Sequence, residues 1–343
     1  MDDDENTYYQ EVEPGPLEEL SQLATIVVEN LSRVFVSGGA KLTALENLNL
    51  TLEAGDVFGF IGPNGAGKTT TIKILATLLR PTSGTAVVCG HDVVQDPFAV
   101  RRSIGYMPDF FGVYDDIKVW EYLDFFAAAY KLPRNSRSSV IAGVLDLTDL
   151  KTKKEAYVET LSRGMKQRLC LAKTLLHDPP VLLLDEPASG LDPRARIEIR
   201  ELLKELQTMG KTIIVSSHIL PEMEEFCNKV GIIEKGHLIV SGEVKEIRQS
   251  VRGSMNVELR VAGDEELATA VLKRLSGVSL NPAESSAVTA GLEPIRFVYS
   301  GTPGSEHQVL TSLVTAGVKV LSFYSPATDL EEIFMKVTKG AVN

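Results

Sequence analysis

Residues 56–69 constrain this chain more than any other stretch. A predominantly apolar run at 56–61 passes directly into Gly62-Pro63-Asn64-Gly65-Ala66-Gly67-Lys68-Thr69, and a helical pattern opens at Lys68. The octet fits G-x-x-x-x-G-K-[ST] in the context that pattern requires, between a strand and a helix. Without Cβ atoms, glycines let consecutive backbone N–H groups point into one concavity around phosphate oxygens, and the helix N-terminus adds partial positive charge behind them. Lys68 brings a full charge to the β- and γ-phosphates of a nucleoside triphosphate. The hydroxyl of Thr69, followed by Thr70, is placed to ligate Mg²⁺.

A second apolar run, Val181-Leu182-Leu183-Leu184, ends in Asp185-Glu186. Further short apolar runs at 25–29, 212–216 and 230–233 alternate with helical segments, the pattern of a parallel α/β sheet whose strands are buried on both faces. Such sheets bind ligands at the carboxyl ends of their strands. Neighbouring side chains of a strand point to opposite faces. Asp185 is therefore expected to hold Mg²⁺ or its water, and Glu186 to face the γ-phosphate and polarise an attacking water as general base.

With 343 residues the chain exceeds one hydrophobic core and suggests two. Its net charge of -11 is concentrated at the start, where Asp2, Asp3, Asp4, Glu5, Glu11, Glu13, Glu18 and Glu19 stand without a Lys or Arg. Residues 1–22 thus read as a solvated acidic tail. The nearly balanced remainder lacks the clustered positive charge that nucleic acid demands. No run approaches the ~20 apolar residues that span a bilayer, and no signal segment opens the chain, so a cytosolic location is expected. Cys89, Cys170 and Cys227, widely spaced, read as reduced thiols.

The family resemblance rests on what lies between the two nucleotide motifs. Leu161-Ser162-Arg163-Gly164-Met165-Lys166-Gln167-Arg168 resembles the LSGGQ-type signature of ATP-binding cassette (ABC) ATPases, at that family's spacing before Asp185. Ser162 is a good N-cap, which leaves backbone amides and a helix dipole free to meet an anion. Pro187-Ala188-Ser189-Gly190-Leu191-Asp192 is similar to the D-loop, and His218 to the switch histidine that touches the γ-phosphate. Phe35 resembles the aromatic that stacks on adenine, usually a Tyr in the family. The resemblance covers 25–243. It implies ATP binding by Phe35, residues 62–70, Ser162, Gly164 and Asp192, catalysis by Glu186, His218 and Lys68, and Mg²⁺ held by Thr69 and Asp185, to which Asp109 offers a further hard oxygen. The last is a departure: the Q-loop glutamine should follow Tyr106-Met107-Pro108, yet Asp109 stands there. Ionised aspartate only accepts hydrogen bonds, where glutamine also donates.

The expected architecture is α/β, a P-loop NTPase of ABC-cassette type with a mixed-sheet core over 23–246. Its helical insertion is placed at about 98–160, where Trp120, Tyr122, Leu123, Phe125, Phe126 and Tyr130 recur at helical spacing. After a boundary at Arg252-Gly253-Ser254, residues 254–343 read as a small α+β domain of βαββαβ order closed by a helix at 329–337. Segments 119–130 and 329–334 resemble ATP-binding subunits of ABC-2 type exporters of drugs, antibiotics and polysaccharides. That resemblance implies a separate transmembrane permease, a homodimer or close-paralogue dimer whose two cassettes share each ATP, and a place on the cytoplasmic face of the membrane. A soluble ABC ATPase, a low-turnover ATP switch and an importer ATPase stand as alternatives.

Overall fold

The computed structural model describes residues 24–109, 112, 116–250, 255–263, 265–280, 294–301, 305–325, 334–335 and 338. The acidic tail, the boundary at 252–254 and the helix expected at 329–337 lie outside the described residues, apart from 334 and 335. The chain divides into two compact units, Met1–Val244 and Lys245–Asn343.

In the first unit, strands β1 (Ala24–Ser37), β2 (Ala40–Glu53), β4 (Ser83–Val88) and β5 (His91–Asp92) form an antiparallel sheet in the order β2-β1-β4-β5. A six-stranded sheet runs β10-β9-β3-β8-β7-β6. It comprises β3 (Val57–Ile61), β6 (Ile104–Met107), β7 (Val181–Asp185), β8 (Thr212–Ser217), β9 (Lys229–Glu234) and β10 (His237–Glu243). All its pairings are parallel except β9 with β10. Every residue of β3, β7 and β8 is buried, as suits their apolar centres, and the polar ends Asp185, Ser216 and Ser217 are buried with them. Ile26, Val28 and Leu50 of the antiparallel sheet share one core with Phe58, Phe60, Leu183 and Ile214.

Burial extends to polar groups that set the register. Asp56, just before β3, accepts from Glu53 N–H (2.8 Å), Asn228 Nδ2 (2.9 Å) and Lys229 Nζ (2.7 Å). Asn228 Oδ1 in turn accepts from Val57 N–H (2.7 Å). These bonds tie the starts of β3 and β9 and leave the buried carboxylate satisfied.

Helices α1 (Lys68–Leu75) and α2 (Pro97–Ser103) flank the sheets, and a helical region follows with α3 (Val119–Ala129), α4 (Arg134–Leu147) and α5 (Arg163–Leu175). Here the structure departs from the sequence reading, which places the helical insertion from 98. Ile104–Met107 is instead an edge strand bonded to β7, and a four-residue strand is too short to display a period. Along α3, Tyr122 and Leu123 are buried, and the Tyr122 and Phe126 rings lie 4.9 Å apart, so the aromatic stripe serves helix packing. Helices α6 (Pro193–Thr208) and α7 (Leu220–Phe226) complete the unit.

The second unit opens with α8 (Val244–Ser250), which starts at the division. It runs β11 (Met255–Val261), α9 (Glu265–Leu272), β12 (Val278–Leu280), β13 (Ile295–Tyr299), α10 (Glu306–Thr315) and β14 (Val320–Tyr324). The sheet order β12-β13-β11-β14, antiparallel throughout, is a split βαβ arrangement. Val257, Leu259, Phe297, Leu272 and Leu313 form its core. The βαββαβ order expected from the sequence is the order observed.

Candidate functional site

The loop from Gly62 to Gly67 links β3 to α1 at the carboxyl edge of the parallel sheet. Gly67 caps α1 at φ 118°, a left-handed conformation costly for any residue with a Cβ. A Cβ there would also meet Leu45 Cδ2 at 2.7 Å and the Ala44 carbonyl oxygen at 2.8 Å. Lys68 is buried, and its Nζ donates to the carbonyl oxygens of Gly62 (2.6 Å) and Pro63 (3.2 Å) while lying 3.8 Å from Glu186 Oε1. Burial pushes its ammonium below the ordinary lysine value, against the opposing charges of Glu186 and Asp185.

Asp185, the last residue of β7, is buried. Its Oδ1 accepts from Thr69 Oγ1 (3.0 Å) and Ser216 Oγ (2.7 Å). Glu186 does not continue the strand, contrary to the alternation expected from the sequence. It sits at φ 51°, in the left-handed region, and its N–H donates to the same Ser216 Oγ at 2.9 Å. The turn, rather than strand alternation, separates the two carboxylates. Strain of this kind persists where surrounding contacts over-determine it. Glu186 Oε2 lies 2.9 Å from His218 Nδ1. Burial raises the Glu186 carboxyl above the ordinary range, with His218 and Lys68 pulling it back.

One cavity of about 230 Å³ is lined by Asn64, Gly65, Ala66, Gly67, Lys68, Thr69, Thr70, Asp109, Glu186, Ser189 and His218; Asp185 is not among them but accepts from the lining Thr69. Thr69, Asp185 and Asp109 present only oxygen donors, a set that suits a hard divalent cation; Mg²⁺ takes one or two carboxylates and completes its shell with waters and phosphates. The structure therefore brings together most of the residues expected to bind phosphate and metal. Tyr106, on the strand leading to Asp109, has its hydroxyl pushed up to about 12 by burial and by the charges of Asp185 and Asp109.

Other expected residues stand elsewhere. Ser162 caps α5, its Oγ accepting from Met165 N–H at 3.3 Å, and neither it nor Gly164 lines the cavity. Asp192 caps α6, accepting from the N–H groups of Arg194 and Ala195, both at 3.0 Å. Phe35 lies on β1, with the Arg33 guanidinium 4.6 Å from its ring centroid. Sequence reasoning missed Ser216 and Ser189. The signal for Ser216 was a polar pair ending an otherwise apolar strand; Ser189 was read only as part of the D-loop, without a role of its own.

Comparison with known proteins identifies the family. A family model described as ABC transporter matches residues 45–189. The Nod factor export ATP-binding protein I of Cupriavidus metallidurans is 36% identical over 295 residues, covering 86% of this chain and 92% of that protein. The chain belongs to the ABC transporter family. Within it, the linearmycin resistance ATP-binding protein LnrL of Bacillus subtilis is 28% identical over 314 residues, 90% of this chain and 97% of its own. A solved ATP binding subunit of an ABC transporter superposes with a TM-score of 0.59 at 29% identity, covering 66% of this chain and 93% of that one. The chain is thus an ABC-type ATPase, and ATP is its nucleotide. Among the described residues no helix is long and apolar enough to cross a membrane.

Proposed function

We propose that this ABC ATPase is the ATP-hydrolysing subunit of an exporter whose membrane-spanning permease is a separate polypeptide. The observation that carries the reading is the division of the expected ATP contacts. Lys68, Thr69, Glu186 and His218 line one cavity, while Ser162 and Gly164 do not. A half-site of this kind fits two cassettes, a homodimer or close-paralogue pair, facing each other so that each ATP lies between one chain's phosphate loop and the other's signature helix. Relatives named for Nod factor export and linearmycin resistance support export as the direction of transport. The chain then works on the cytoplasmic face of the membrane, through its permease.

In this reading the backbone amides of 62–70 and the Lys68 ammonium hold the phosphates, and Phe35 stacks on adenine. Thr69, Asp185 and Asp109 would hold Mg²⁺, which would offset phosphate charge. Glu186, ionised, accepts a proton from the water as its oxygen bonds to the γ-phosphorus. The bond to the β,γ-bridging oxygen breaks, leaving ADP and phosphate. His218 orients Glu186 through their 2.9 Å contact and reaches toward the γ-phosphate. Asp192 fixes the start of α6 beside the loop that meets the partner cassette.

The test is Mg²⁺-dependent phosphate release by the parent chain and its Glu186→Gln variant, with light scattering under ATP. Turnover in the parent, lost in a variant that accumulates as an ATP-bound dimer, is expected. No turnover in either, with the permease reconstituted, overturns the motor in favour of a binding switch.

A further inference from the structure

Arg163 occupies the variable position of the signature, where it follows the cap Ser162 and opens α5. Its side chain reaches across to the D-loop of its own chain. Arg163 Nη2 donates to the Ser189 carbonyl oxygen at 3.1 Å. The guanidinium also lies over Gly190, where a Cβ would fall 2.5 Å from Arg163 Cζ and 2.9 Å from Nη1. Gly190 has φ 67°, so its backbone too favours glycine. The seat is thus shaped for a flat cation. The seam continues beneath it: a Cβ on Gly164 would meet Ala195 Cβ of α6 at 3.2 Å, and Arg168 Nη2 lies 3.6 Å from Glu198 Oε2.

Ser189 lines the phosphate cavity, while Ser162 and Gly164 stand apart from it. We propose that Arg163 is a positioning residue that ties the start of the signature helix to the loop lining the same chain's phosphate cavity. The inference rests on the paired-cassette reading: there the start of α5 meets the partner's ATP while Ser189 borders the chain's own. Arg163 is then a strut between the two ATP sites of a dimer. It carries displacement of one loop to the other through a bidentate-capable fork that lysine lacks.

The experiment compares the full chain with Arg163→Ala, Arg163→Lys, Gly190→Ala and the Arg163→Ala/Gly190→Ala double variant, by steady-state ATPase kinetics. For Arg163→Ala, kcat falls about tenfold with KM within about twofold of the parent, since the phosphate loop is untouched. Arg163→Lys restores part of the loss by keeping one donor. Gly190→Ala falls similarly because its methyl unseats the guanidinium, and the double variant is no slower than the slower single. A kcat for Arg163→Ala within twofold of the parent, or multiplicative losses in the double variant, overturns the strut. Light scattering of Glu186→Gln under ATP separates the two ideas. Absence of a dimer removes the paired-cassette reading and leaves the cycle to judge the contact within one chain. A dimer together with an unaffected Arg163→Ala removes only the strut.

Discussion

His218 Nδ1 lies 2.9 Å from Glu186 Oε2, an exposed imidazole against a largely buried carboxylate, and both line the phosphate cavity. Burial raises the Glu186 carboxyl, and His218 is the first of the groups that lower it again. A general base works ionised, so kcat/KM should fall as the medium is acidified through the raised Glu186 value. In His218→Ala the restraint is gone, and the acid limb of kcat/KM should move to higher pH, alongside a loss of roughly 10² in kcat. A pH profile of the variant superposable on the parent's, apart from amplitude, contradicts this coupling.

Ser216 serves both acids, donating to Asp185 Oδ1 and accepting from Glu186 N–H. Ser216→Ala leaves a buried carboxylate short of a donor and a strained peptide short of an acceptor. The expected cost is about 1–3 kcal/mol in urea unfolding, together with slower ATP turnover. Unchanged unfolding midpoint and slope would show that water replaces the hydroxyl.

Asp109 lines the cavity with Thr69 and Glu186. In the proposed reading a carboxylate there adds a hard oxygen to the cation's surroundings, so Asp109→Gln should raise the Mg²⁺ concentration for half-maximal ATPase about tenfold. Titration of both proteins with Mg²⁺ at fixed ATP checks it; coincident curves remove Asp109 from the metal's surroundings.

His177, just after α5, lies 2.9 Å through Nε2 from the Ile104 carbonyl oxygen of β6 and stacks on Tyr130 at 4.0 Å between centroids. A carbonyl only accepts, so the neutral ring carries its proton on Nε2, and Nδ1 is buried without a partner. Burial lowers the imidazole below its ordinary value. The folded chain then holds fewer protons than the unfolded one just below about pH 6.5, so the stability contributed by His177 is present above that value. It is lost as pH falls through the depressed one. His177→Phe keeps the stack, loses about 1 kcal/mol of hydrogen bonding at neutral pH, and should flatten that decline in urea midpoints measured across the acid side of neutrality.

The phosphate loop and the buried Val181–Asp185 strand were legible because each is a local pattern whose chemistry fills a few consecutive positions. Strand β1 was legible only at 25–29, since its pairing with β2 shifts register between Val28 and Leu31 and again near Arg33, and each shift breaks the period-two alternation. Strand β6 has four residues and no visible period. The left-handed turn at Glu186 and the reach of Arg163 to Ser189 depend on tertiary contacts between distant segments. No propensity of Glu or Arg announces them.

Lys68 offers a last consequence. Its ammonium donates to the carbonyls of Gly62 and Pro63, so the loop curves around an internal cation. Exchanging those two acceptors for phosphate oxygens asks one side chain to turn and leaves the backbone in place. A loop held this way costs little to order around phosphate, so in the paired-cassette reading the slow steps of turnover should lie in the meeting and parting of cassettes.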